Sequence, residues 1–89
     1  MDFARETFIG NIKEINNKVA ISGVVILLEN DFFLIDDGTG QAKVSFFNLN
    51  ISIGNYVRVF GIIIDIVNGI EVQAELVQDL SKIEKRLHK

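Results

Sequence analysis

The sequence predicts an all-β domain: a closed, five-stranded Greek-key barrel followed by a short C-terminal α-helix. Three observations predict it. Runs rich in Val, Ile and Phe, each of strand length, are separated by clusters of Gly, Asn and Asp. The first long run carries a glycine at its centre, Gly23, the residue that lets a strand bend sharply at a barrel corner. Near Val77 the apolar period changes from that of a strand to that of a helix.

In chain order, residues 3–15 (FARETFIGNIKEI) are a lead-in, expected to begin as a helical turn and to dock Phe8, Ile9, Ile12 and Ile15 on the body. Residues 18–30 (KVAISGVVILLEN) form the first strand, with Val19, Ile21, Gly23 and Val25 on one face. Glu29, Asn30 and Asp31 turn the chain into a second strand over 32–35, with Phe33 and Ile35 inward. The stretch IDDGTGQAKVSFF (35–47) is a hairpin, its loop at 36–40 and its third strand at 41–47. Residues 48–55 are a connection too short for a full helix, and 56–66 (YVRVFGIIIDI) the fourth strand. Asn68-Gly69 is a strong hairpin signal, and 70–76 (IEVQAEL) alternates cleanly as the fifth strand. Beyond it, Leu76, Leu80, Ile83 and Leu87 fall on one helical stripe, with Asp79 or Ser81 to cap the start and basic residues in the last turns. Residues 1–89 thus read as one domain, with a barrel over about 8–77 and a helix over about 78–88. The OB-fold is the architecture that fits.

Composition excludes several classes of function. There is no Cys, and the single His, His88, lies in the tail. Disulfides, thiolate metal sites and Cys nucleophiles are therefore excluded, a His-based metal site or triad is implausible, no cofactor is implied, and an enzyme is not expected. No signal peptide or membrane-spanning run is present, so the chain reads as cytoplasmic, or nuclear in a eukaryote. Its Ile-, Asn- and Lys-rich, Cys-free composition points to an AT-rich or thermophilic source, archaea being suspected. Charge is uneven: residues 1–81 carry five bases against eleven acids, whereas residues 82–89 carry four bases against one acid. An acidic body does not draw phosphates from a distance, which counts against a strong, self-sufficient nucleic-acid binder. Yet 48% of the residues are hydrophobic, so either the core is very well filled or some apolar surface serves a partner.

Three segments carry a family resemblance. They are FLIDDGTG (33–40), Phe47 at the end of the third strand, and VRVFG (57–61) followed by N-G-x-x-V-x-A (68–74) and V-x-D (77–79). Over residues 8–80 the chain resembles the OB-fold of the middle subunit of replication protein A and the small OB subunits of telomere-capping complexes. That resemblance implies binding of single-stranded DNA and assembly with sister OB subunits, partly through the helix after the barrel. The family tends to carry an aromatic at the position of Ile66; the isoleucine here implies weak to moderate DNA affinity.

The residues themselves support two readings. Alternation puts Lys43, Ser45 and Phe47 on the outer face of the third strand, an aromatic beside a cation, suited to stacking a base and meeting a phosphate. Phe32, with Leu34 beside it, offers a second outward aromatic, and Lys18 and Arg58 are scattered cations available to phosphates. Equally, Phe47 and Phe32 suit cover by protein. Phe60 and Ile62, with Ile64, leave the fourth strand apolar on both faces, so the helix or another subunit must cover it. The stripe Leu76, Leu80, Ile83 and Leu87 suits a seam with sister subunits or a second copy. Asp36 and Asp37 read as turn-formers whose carboxylates accept backbone N–H groups of residues 38–40 rather than as paired catalytic acids. Gly38-Thr39-Gly40 is not a phosphate loop, since no helix follows it and no lysine stands directly after Gly40. The expected partners are single-stranded DNA and sister subunits, with no membrane.

Overall fold

The computed structural model describes residues 4–45 and 50–81. Its elements are β1 (Arg5–Glu6), a short 3-10 helix (Ile9–Asn11), β2 (Lys18–Leu28), β3 (Phe32–Asp36), β4 (Gln41–Ser45), β5 (Tyr56–Asp65) and β6 (Ile70–Asp79). The strands hydrogen-bond in the order β1-β2-β3-β4-β6-β5, and a further pairing of β2 with β5 closes the barrel. All contacts among β2 to β6 are antiparallel except β4 with β6, which run parallel from Ala42↔Ile70 to Ser45↔Gln73.

Closure depends on β2 serving two partners. Its first half pairs with β5, from Lys18↔Ile62 to Val24↔Tyr56, and its second half with β3, from Val24↔Asp36 to Leu28↔Phe33. The exchange falls at Gly23 and Val24. A Cβ on Gly23 would lie 2.8 Å from the Asp36 carbonyl oxygen, so the glycine expected at the corner is there because another backbone passes against it. A bulge between Val25 and Leu27 adds to the bend.

Period-two alternation fills the interior. Ile21 and Val25 of β2, Phe33 and Ile35 of β3, Ala42 and Val44 of β4, Val57, Val59 and Ile63 of β5, and Val72 of β6 are buried, as expected for the inward faces. Ile9 from the 3-10 helix and Ile51 from the connection are buried with them. Each large side chain removed from water contributes roughly 1.5–3 kcal/mol.

Two expectations are corrected. The lead-in begins as a two-residue strand, parallel to β2 through Arg5↔Val19 and Glu6↔Ala20, not as a helical turn. It docks through Ile9 and Ile12, while Phe8 is 60% and Ile15 49% exposed. The fifth barrel strand, β6, runs to Asp79 instead of 76, so the barrel reaches beyond 77 and Leu76 lies on a strand opposite Phe60 rather than on a helical stripe. The cause is long-range: β5 presents backbone groups as far as Val57, and pairing them with Asp79 outweighs a local helical period. Helical conformation begins at Leu80 and Ser81, where Asp79 Oδ1 accepts the Ser81 N–H at 3.0 Å as an N-cap. Ile83 and Leu87 lie outside the described residues, as do Phe46 and Phe47.

Candidate nucleic-acid interface

The outer face of β3 and β4 collects part of the expected site. Because Phe33 and Ile35 point inward, Phe32 and Leu34 point outward; because Ala42 and Val44 point inward, so do Lys43 and Ser45. Register then sets neighbours: Phe32 opposes Ser45, and Leu34 opposes Lys43. The Lys43 ammonium sits over the Phe32 ring, 4.6 Å from its centroid, an attraction of about 0.5–1 kcal/mol at an exposed site. All four side chains are half-buried, and the 29–31 turn leads into Phe32 at one end of the face.

An acid that the sequence did not single out stands in this face. Parallel pairing sets Glu71 of β6 beside Lys43, and the Ser45 hydroxyl donates to Glu71 Oε2 at 3.3 Å. The signal is present in the clean alternation of 70–76, but nothing local says that this strand lies against β4. Glu71 partly offsets the charge of Lys43 on this face.

The remaining candidates lie elsewhere. Lys18 is exposed at the start of β2, opposite Ile62. Arg58 lies on the outer face of β5 between Ser22 and Gln78. It meets Glu6 across β2 at 3.8 Å, and its buried Nε has no hydrogen-bond partner among the described residues. The same outer face of β5 carries Phe60 and Ile62, both half-buried, and Ile64, 42% exposed, with Leu76 of β6 at 50%. These apolar residues stay together, so the double-sided strand read from the sequence leaves an apolar strip only partly covered. At the end of β6, Ser81 Oγ accepts the Tyr56 N–H at 2.8 Å and ties the first helical residues to the start of β5.

The Asp36–Gly40 loop anchors the lead-in at Ile9 and Gly10. Asp36 Oδ1 accepts the Gly38 N–H at 2.7 Å, and Asp37 Oδ1 accepts the N–H groups of Thr39 at 2.8 Å and Gly40 at 3.2 Å. Gly38 supplies the positive φ, +89°. Beyond the turn itself, Asp37 Oδ2 accepts the Ile9 N–H at 2.8 Å and Thr39 Oγ1 accepts the Gly10 N–H at 2.9 Å. Burial alone raises the Asp37 pKa, but the hydrogen bonds from the Thr39 hydroxyl and from the Ile9, Thr39 and Gly40 amides outweigh it and hold the carboxyl below its ordinary value. Among the described residues, no three or more His, Cys, Asp or Glu side chains converge as metal ligands would.

No protein-family model matches the chain, and no curated protein matches it in sequence. Solved structures do match in shape. A chain of the S. pombe Stn1–Ten1 complex aligns with a TM-score of 0.69 at 16% identity, covering 98% of this chain and 90% of that one. The hypothetical protein ygiW from E. coli aligns with a TM-score of 0.69 at 13% identity, covering 89% and 98%. One chain of a replication protein A heterotrimer bound to single-stranded DNA aligns with a TM-score of 0.59 at 18% identity, covering 85% of this chain and 75% of that one. At such identities the likeness is one of fold. Together with the strand order and the β2–β5 closure, it places the chain in the OB-fold.

Proposed function

We propose that the chain is a small OB-fold subunit of a replication protein A-like complex that holds single-stranded DNA during replication or repair. The observation that carries this reading is the Lys43 ammonium lying over Phe32 on the outer β3–β4 face. One pair supplies both parts of strand binding: a ring on which a base stacks, worth roughly 1–3 kcal/mol, and a cation that moves from the ring to the phosphate as the base arrives. Phe47, which the alternation of 41–47 puts on the same face, would extend the platform. Glu71 and the acidic body keep the affinity modest, in keeping with a subunit that works beside others. Assembly would use the apolar strip of Phe60, Ile62 and Leu76 together with Leu80 and the segment that follows it. The similarity in size and shape to a chain of the Stn1–Ten1 complex, covered almost end to end, supports a subunit of this kind.

A second reading has its own support: with Glu71 beside Lys43 and an apolar strip on β5–β6, the barrel suits a scaffold that binds proteins and not DNA. Fluorescence anisotropy of a labelled dT oligonucleotide decides between them. The first reading expects binding whose affinity falls with salt at a log–log slope of about −0.7 per phosphate contacted, weakened by Phe32→Ala. Absence of salt-sensitive binding at low ionic strength overturns it in favour of the scaffold.

A further inference from the structure

We infer that the open concavity at the start of β2, lined by Arg5, Lys13 and Lys18, is a second phosphate-binding site that takes the sugar-phosphate backbone of the same single strand away from the β3–β4 face. The inference rests on the DNA-binding reading above and adds a site to it.

Charge is the first argument. Residues 1–81 contain only five bases among eleven acids, yet three of the five line this one concavity, and Glu14 is the sole acid among its described lining residues. The Glu14 carboxylate already accepts a hydrogen bond from Asn17 Nδ2 at 3.2 Å. Arg5, Lys13 and Lys18 are all exposed, and among the described residues the one ion pair is Arg58 with Glu6. Among the described residues the concavity therefore gathers most of the positive charge, the arrangement that attracts phosphates locally where the net charge does not.

Shape and chemistry narrow the ligand. The volume is about 930 Å³, at the upper end of the roughly 300–1,000 Å³ of ordinary ligand sites. Besides the cations and Glu14, it is lined by Thr7, Asn11, Asn16 and Asn17 and by the aliphatic Ile12, Val19, Ile62 and Ile63, with no aromatic side chain among the described lining residues. The cations and amides of such a surface suit phosphate and sugar oxygens, contacts that position a strand without reading its sequence. The rim is also fixed. Asn16 donates its N–H to the Ile63 carbonyl at 2.7 Å, and Ile63 donates to the Asn17 carbonyl at 3.0 Å, extending the β2–β5 ladder into the loop. Asn16 holds φ +69°, a left-handed conformation that asparagine tolerates better than most residues. A loop ordered beforehand loses little freedom on binding.

The test is an amide NMR titration of the whole chain with unlabelled dT oligonucleotide at low salt, repeated on the variant Arg5→Gln, Lys13→Gln, Lys18→Gln, whose own spectrum reports whether it is folded. Two separate groups of amides are expected to move, one around Phe32 to Ser45 and one around Arg5 and Lys13 to Lys18. In the variant the second group stays still, and the salt slope measured by anisotropy becomes shallower by about 2, three contacts at about 0.7 each. Movement confined to the β3–β4 face, or an unchanged slope in the variant, overturns the second site and leaves the proposed function standing. Movement in the concavity alone supports the site and removes the β3–β4 face from the function. With no movement anywhere, both fall.

Discussion

Asp37 holds Ile9 in place: Oδ2 accepts the Ile9 N–H at 2.8 Å, while Oδ1 accepts the Thr39 hydroxyl at 2.6 Å and two backbone N–H groups of its own loop. One carboxylate thereby shapes the β3–β4 turn and fastens a segment twenty-eight residues away whose isoleucine is buried in the core. Because its folded pKa is lowered from 3.8, the stability it contributes is fully present above that value and is lost as pH falls through the lower, folded one. Asp37→Asn is expected to lose about 1.5–3 kcal/mol at neutral pH and to flatten the acid limb of the stability curve below the ordinary carboxylate range. Urea melts across pH 2–7 measure both; an acid limb unchanged in the variant would show that other carboxylates set it.

At the barrel corner, Gly23→Ala is expected to destabilise the fold by about 1–3 kcal/mol. The new methyl meets the Asp36 backbone at 2.8 Å, and a ladder carbonyl cannot step aside as the end of a side chain can. Equilibrium denaturation of the variant, compared with Gly38→Ala, separates close approach from turn conformation, since nothing lies within 4 Å of a Cβ at Gly38.

On the β3–β4 face, Glu71→Gln should tighten dT binding. It removes a negative charge beside Lys43 and from the Ser45 hydroxyl, a repulsion of about 0.5–1 kcal/mol near the surface. Anisotropy at two salt concentrations checks it: the gain must shrink as salt rises. Phe32→Ala should act in the opposite sense, by roughly 1–3 kcal/mol, with little change in the salt slope because no charge is lost.

Assembly is tested on the β5–β6 strip. Leu76 is 50% exposed, so Leu76→Glu should leave the barrel folded while breaking any complex that docks on Phe60 and Leu76. Light scattering of the chain with and without the substitution gives the mass directly. A complex of undiminished mass would mean the partner sits elsewhere.

Much of this architecture follows from local rules. The inward sets Val19, Ile21, Val25 and Val57, Val59, Ile63 can be read from period two, and the turn at Asp36-Asp37 from the competence of carboxylates to bind nearby amides. What could not be read depends on which strands meet. Glu71 beside Lys43, the gathering of Arg5, Lys13 and Lys18, and the Asp37–Ile9 bond each join segments far apart in the chain. The spacing of Leu76 to Leu80 suits a helix equally well, and pairing with the backbone of β5 decides for a strand. Of the expected stacking pair, Phe32 is placed against Lys43, whereas Phe47 lies beyond the described part of β4.

The position of β6 between β4 and β5 dictates when this molecule can fold. β4 and β5 never pair with each other, so the barrel has an open seam until the strand ending at Asp79 fills it. On a ribosome the core cannot close before that residue has emerged, and until then the apolar strands of a nascent chain stand with unpaired edges, open to other chains. Closure joins distant segments, by the β2–β5 pairing and by the parallel β4–β6 pairing, a topology whose folding belongs to the slower millisecond-to-second range for small domains.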